Sequence, residues 1–314
     1  MRDGLARVEE SLAATAHPED ELLTEASRHL IDAGGKRFRA LLVLLGAQFG
    51  NPADPRVTDA AVAIELTHLA TLFHDDVMDE ALVRRGSPSA NSRWDNSVAI
   101  LTGDFLFAQA SQILARLGPE AVRIQAETFS RLVTGQTAET IGPRPGQDPL
   151  DHYMHVITEK TGSLIATSGR FGAMFSGTPD EVSDLIAEAC LRIGVAWQLS
   201  DDVLDVASTS LQSGKEPGTD LRQGVHTLPV LYALRSTDPS SERLRWLLSS
   251  ADLTDPALHA EALSLLRVSP AIAEARETVR SWVAEAQSLV ARLPDVPARG
   301  AFESLCAFVI TRTG

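Results

Sequence analysis

The chain has 314 residues, 44% of them hydrophobic and 22% charged, with a mean hydropathy of −0.01 and a formal net charge of −14. That is enough apolar material to bury a large core, and we expect one domain over residues 1–314. The acidic balance argues against nucleic acid as a partner, because a phosphate backbone demands a basic face. It does not exclude a diphosphate, since a local basic cluster or a metal overrides the global sign.

Helix formers dominate, aromatic content is only 5%, and apolar residues recur at three-to-four spacing, so the predicted fold class is all-α. The first stretch, MRDGLARVEESLAATAHPED, is polar and amphipathic and lacks the apolar core of a signal peptide. Gly34-Gly35 closes a first helical region, and Lys36-Arg37-Phe38-Arg39 opens ALLVLLGAQFG, which is apolar all round and therefore expected to be buried on every side. Asn51-Pro52 and Asp54-Pro55 mark a turn before a long helix that ends in Asp75-Asp76-Val77-Met78-Asp79. Residues 84–88 read as loop. Helices follow at about 96–117 and 119–140, then a breaker at 142–149 and helices at about 150–175 and 179–207. A glycine- and charge-bearing loop at 214–224 precedes another apolar helix, and from about 239 shorter helices are divided by Asp-Pro and Ser-Pro turns. No unbroken apolar run reaches the ~18 residues that span a bilayer. Cys190 and Cys306 lie in apolar patterns without metal-ligand spacing and read as buried thiols, so the expected location is the cytoplasm, with at most peripheral membrane contact.

The run at Asp75 has a second copy, Asp201-Asp202-Val203-Leu204-Asp205, with the same D-D-x-x-D spacing. At roughly 100° per residue the first and fifth positions fall about 40° apart on a helix, so each run projects carboxylates from one face. Clustered carboxylates need cations, and hard oxygen donors suit Mg²⁺, which binds through a few carboxylates, waters and substrate phosphates. His68, seven residues before Asp75, shares its face, and Gln198 stands beside the second run. Three basic groups can complement a diphosphate: Lys36/Arg37/Arg39, Arg84/Arg85, and Lys160 followed by Thr161 in a small, apolar stretch. Lys215, after the second run, is a weaker candidate of the same kind.

GGKRFRA, LTHLATLFHDDVMDEALVRRG, KTGSL, WQLSDDVLD and GKEPGTDLRQGVHTLP together resemble the trans-isoprenyl diphosphate synthases, or polyprenyl synthetases, in order and over roughly residues 34–230. The resemblance implies an all-helical homodimer built around a deep cavity. It implies metal binding by Asp75, Asp76, Asp79, Asp201, Asp202 and Asp205, with three Mg²⁺ ions alongside the allylic diphosphate. Arg84, Lys160 and Lys215 would touch that diphosphate; Lys36, Arg39, His68 and Arg85 would hold isopentenyl diphosphate; Thr161 and Gln198 would line the reacting region. Ala40 stands where the family often has proline, and Val225 where it often has lysine. Small residues at Ala70 and Thr71, with Leu66 one turn deeper, imply a product longer than farnesyl diphosphate, about seven to nine isoprene units (about C35–C45), since pocket size sets this kind of specificity. Geranylgeranyl diphosphate synthesis is the alternative. A class I terpene cyclase would carry a different second metal motif, and a regulatory subunit would tend to lose aspartates. Arg312 is a candidate for closing the site.

Overall fold

The computed structural model describes residues 1–15, 20–207 and 217–312. The fold is all-α: among these residues strand occurs only as a hairpin, β1 (Val83–Arg84) with β2 (Ser87–Pro88). The helices of the first half are α1 (Arg2–Thr15), α2 (Glu21–Asp32), α3 (Phe38–Gly46), α4 (Pro55–Met78), α5 (Ala90–Arg93), α6 (Asn96–Leu117) and α7 (Pro119–Ile141). After them come α8 (Pro149–Ile157), α9 (Ser163–Phe175), α10 (Asp180–Ala207), α11 (Thr219–Arg222), α12 (Leu228–Arg235), α13 (Glu242–Ser250), α14 (Pro256–Val268), α15 (Pro270–Val290) and α16 (Pro297–Arg312).

The Asp-Pro dipeptides that read as turns are helix starts. Asp54, Asp148 and Asp255 are N-caps whose carboxylates accept the backbone N–H of Arg56, Leu150 and Ala257 at 2.8–2.9 Å, and the following proline occupies the first helical turn. The cap satisfies an orphan donor, while proline lacks the N–H that would have been orphaned.

The described residues group into two compact units, each assembled from separated stretches of chain. The first comprises 1–130, 164–187 and 293–298. In it α3 is buried as expected, with Leu42, Val43, Leu44 and Leu45 at 7% exposure or less. Glycine lets its backbone be approached closely: a Cβ on Gly172 would lie 1.9 Å from the Val43 carbonyl oxygen, and one on Gly46 would lie 2.6 Å from that of Gly169. Backbone cannot move aside as a side chain can, so Gly172→Ala is expected to destabilise the protein by ~1–3 kcal/mol or more. A fall in Tm reads this out, and an unchanged Tm would contradict the close crossing.

Helix α4 is buried along most of its length and packs principally on α6. Helix α6 departs from the expectation for membrane spans, since an 18-residue window in it has mean hydropathy 1.4, with 39% of that window buried. Counting unbroken apolar residues missed it because Thr102, Gly103 and Asp104 interrupt the run. Its buried side, including Leu106, Ala110 and Leu114, serves the core, whereas Asp104, Gln112 and Arg116 are exposed.

The second unit comprises 131–163, 188–292 and 299–314. One of its cores joins Val206, Leu221, Val230, Leu247, Ala262 and Leu266. The helix expected at 150–175 is broken by a π-helical turn at Thr158–Gly162, the segment that carries Lys160 and Thr161. Gly135 admits this turn: a Cβ there would lie 2.6 Å from the Lys160 backbone nitrogen. Such π turns widen a helix locally and re-aim its side chains.

Candidate active site

The first aspartate run closes α4. Asp75 and Asp76 lie in its last turn and Asp79 is the C-cap, its N–H bonded to the Asp75 carbonyl at 2.8 Å. The C-terminal end of a helix is the negative end of its dipole, so three carboxylates here oppose the local field and require cations. Arg84 supplies one. Its Nε and Nη2 both lie 2.6 Å from Asp76 Oδ1. Asp76 is fully buried, and its other oxygen, Oδ2, has no hydrogen-bond partner. Burial pushes the Asp76 carboxyl above the usual carboxylate range, against the pull of Arg84.

The segment expected as loop at 84–88 is the β1–β2 hairpin, with Val83 opposite Pro88 and Arg84 opposite Ser87. Its two central residues, Arg85 (φ 53°) and Gly86 (φ 78°), both have positive φ, as a type I′ turn demands. The hairpin thus sends Arg84 to Asp76 while Arg85 turns to the carbonyls of Leu30, at 2.8 Å, and Gly34.

Three further groups of the first unit accompany this run. Arg37, at φ 45°, is buried and gripped by Glu9 at 2.6 and 3.1 Å and by the Ile31 carbonyl at 3.0 Å. Arg39 Nε is buried without a partner, and burial lowers that group's pKa against the opposing effect of Glu65. His68 lies within the fields of Arg39, Arg85, Arg37 and Arg84, and burial together with those charges holds its pKa well below 6.5, so the ring is neutral. Two basic groups far apart in sequence therefore gather around one imidazole; Lys36, beside them in sequence, is exposed. Guanidiniums whose fields overlap in this way repel unless an anion joins them, and their planar forks match phosphate oxygens.

A separate cluster, around the second aspartate run, lies on α10 and its neighbours in the second unit. Asp201 is paired with Arg312 of α16. Asp202 is 3% exposed, and both its oxygens are engaged: Gln198 Nε2 donates to Oδ1 at 3.1 Å and the Tyr153 hydroxyl to Oδ2. Burial pushes its carboxyl up to about 7, although both hydrogen bonds pull the other way. Thr161 Oγ1 lies 3.5 Å from Gln198 Oε1, so Thr161, Gln198, Asp202 and Tyr153 form one chain. Asp205 accepts the N–H groups of Thr219 and Asp220 at 3.3 Å, and its carbonyl accepts that of Gly218 at 2.8 Å. Lys160 is ion-paired with the Glu139 carboxylate. Lys215 lies outside the described residues, and His226 is exposed.

Among the described residues no group of three or more His, Cys, Asp or Glu side chains is drawn together as a cage. Without a cation, like charges gain nothing by converging, so each carboxylate takes its own donor. Asp202 and Asp205 are most strongly committed to protein donors, whereas the buried, unpartnered Oδ2 of Asp76 fits an absent cation, and an all-oxygen donor set suits Mg²⁺.

Tyr153, Glu9 and Glu65 were missing from the sequence reading. Glu65 carried a signal, a charge inside the apolar run AVAIELTHL; it is 2% exposed and accepts the Ala40 N–H at 2.9 Å. Tyr153 carried none, because its partner lies 49 residues away.

Leu66, Ala70 and Thr71, the residues expected to set chain length, lie on α4. Leu66 and Ala70 are 0% and 1% exposed, and Thr71 is half-buried, its hydroxyl donating to the His68 carbonyl at 2.8 Å. A Cβ on Gly103 of α6 would lie 3.1 Å from the Ala70 oxygen and 2.4 Å from His74 Nε2, so a side chain there would have to push the His74 ring aside.

The polyprenyl synthetase family model matches residues 20–266. A nonaprenyl diphosphate synthase of Mycobacterium tuberculosis is 50% identical, covering 100% of this chain and 94% of its own. A dimethylallyltranstransferase of the same organism is 44% identical over 99% of this chain and 94% of its own. A geranylgeranyl pyrophosphate synthase of Corynebacterium glutamicum, solved with calcium and isoprenyl diphosphate, superposes with a TM-score of 0.90 at 44% identity, covering 100% of this chain and 96% of that one.

Proposed function

This chain belongs to the polyprenyl synthetase family, and on that premise we propose that it adds isopentenyl diphosphate repeatedly to an allylic diphosphate, using Mg²⁺, to make an all-trans polyprenyl diphosphate of C35–C45. The observation that carries this reading is the arginine cluster around neutral His68, on the same helix as the half-paired Asp76. Carboxylates and guanidiniums side by side match a substrate that carries its anionic charge as diphosphate and takes metal with it.

We assign Lys36, Arg39, His68 and Arg85 to isopentenyl diphosphate. A neutral His68 is both donor and acceptor and adds no charge, leaving neutralisation to the arginines. Arg84 and Lys160 go to the allylic diphosphate, each bound meanwhile to a protein carboxylate. Asp75, Asp76, Asp79 and Asp201 would hold Mg²⁺, which when bound neutralises the charge that develops on the leaving diphosphate. Asp202, anchored by Tyr153 and Gln198, fixes the helical turn beside Asp201. Departure of diphosphate leaves an allylic cation, and the isopentenyl double bond attacks it when held in near-attack geometry away from water. The proton then lost is taken by the departing diphosphate, and no side chain serves as base. The 44% identity to a geranylgeranyl pyrophosphate synthase keeps a C20 product as the second reading. We also propose a homodimer, supported by exposed Ile100 and Leu101 on α6 and Val122 on α7.

Incubation with Mg²⁺, labelled isopentenyl diphosphate and geranyl, farnesyl or geranylgeranyl diphosphate is expected to yield an elongated product that mass spectrometry sizes. Chelation with EDTA is expected to abolish it, and the same preparation should sediment as a dimer. If no primer is extended, with Mg²⁺ and with or without a trial partner protein, the synthase reading fails.

A further inference from the structure

Two pairs spaced four residues apart interlock in the second unit. On α10, Trp197 and Asp201 share a face; on α16, Phe308 and Arg312 do the same. The two rings pack tilted by 35° at 6.0 Å, the Arg312 guanidinium lies 4.1 Å above Trp197 and 5.9 Å from Phe308, and it is ion-paired with Asp201. The side chain of Arg312 is only 15% exposed, and its Nη1 is buried with no partner. The guanidinium is therefore positioned by a ring and a carboxylate, yet not fully satisfied by them.

We propose that Arg312 is the built-in counter-ion of Asp201, and that it gives way when a divalent cation binds the second aspartate run. The proposal rests on the assignment of Asp201 to Mg²⁺. Asp201 remains 44% exposed, so its ion pair is screened by water, and the ion pair and the ring contact each hold Arg312 by about a factor of a few. A doubly charged ion bonded directly to the carboxylate exceeds that. Until it arrives, the guanidinium spares Asp201 the repulsion of its neighbouring carboxylates. Once displaced, Arg312 leaves the face of Trp197, so cation binding is reported by a tryptophan four residues from the ligand.

The full chain is titrated with MgCl₂ alone, by calorimetry and by tryptophan emission, as wild type and as Arg312→Gln, Arg312→Lys, Asp201→Asn and Trp197→Phe. Removing the competing charge is expected to tighten Mg²⁺ binding about five- to tenfold in Arg312→Gln, with Arg312→Lys in between. The Mg²⁺-dependent change in emission is expected in wild type and absent from Trp197→Phe and Arg312→Gln. Wild-type affinity in Arg312→Gln, with binding lost in Asp201→Asn, would overturn the counter-ion role and leave the metal assignment standing. Unchanged Mg²⁺ binding in Asp201→Asn would remove that assignment, and the counter-ion role with it.

Discussion

Asp76→Asn is expected to lower kcat for the first condensation by about 10²–10³-fold, the loss typical when one preorganised charge-stabilising group is removed. The substitution keeps the shape of the side chain, and its amide oxygen can still accept from Arg84, so the fold should survive. What disappears is the charge. Burying a carboxylate with one oxygen unpartnered costs free energy, and at this position the cost is borne at the negative end of helix α4. A residue kept in so unfavourable a state has a use for its charge, and the proposed use is to hold a cation. Single-turnover kinetics at saturating Mg²⁺, with circular dichroism as the check on folding, decide the matter. Wild-type turnover in Asp76→Asn would mean that Asp76 serves only to position Arg84.

Ala70→Phe is expected to move the product from C35–C45 to about C20 or shorter, as a bulky ring in a pocket discriminates by size. Ala70 is 1% exposed and lies on the helix that packs principally on α6, so a ring at 70 must displace something. It must turn toward the growing chain or strain the α4–α6 packing. Thr71→Phe separates these outcomes, because Thr71 is half-buried and a ring there meets less protein. Both variants should shorten the product while the first condensation proceeds. Unchanged product length in both, measured by mass spectrometry, would remove Ala70 and Thr71 from chain-length control.

Much of this was legible before any coordinates. The all-α fold followed from apolar spacing, and the limits of α6, α7 and α10 fell within a residue or two of those expected, because long amphipathic helices bounded by proline and glycine announce themselves. The aspartate runs stood out by their repeated spacing, His68 and Gln198 by their helical position beside them, and Lys160 by its small, apolar surroundings. Short-range backbone events were not legible. The hairpin at Arg84 depends on Arg85 accepting a left-handed conformation that arginine does not advertise. The π turn at Lys160 depends on a glycine 25 residues earlier, Gly135, that lets its backbone in.

The sequence by itself determined the kind of chemistry: two repeated oxygen-donor runs, separate basic groups and the helices that carry them, all set by local spacing. Tertiary structure decided what each charge does. It gave Asp76 to Arg84, Asp201 to Arg312 and Asp202 to Tyr153, and it ringed His68 with arginines from two distant segments. The reason is physical: helical periodicity is written within a few residues, whereas a charge is settled by whatever partner folding brings within about 4 Å, where its Coulomb energy is decided.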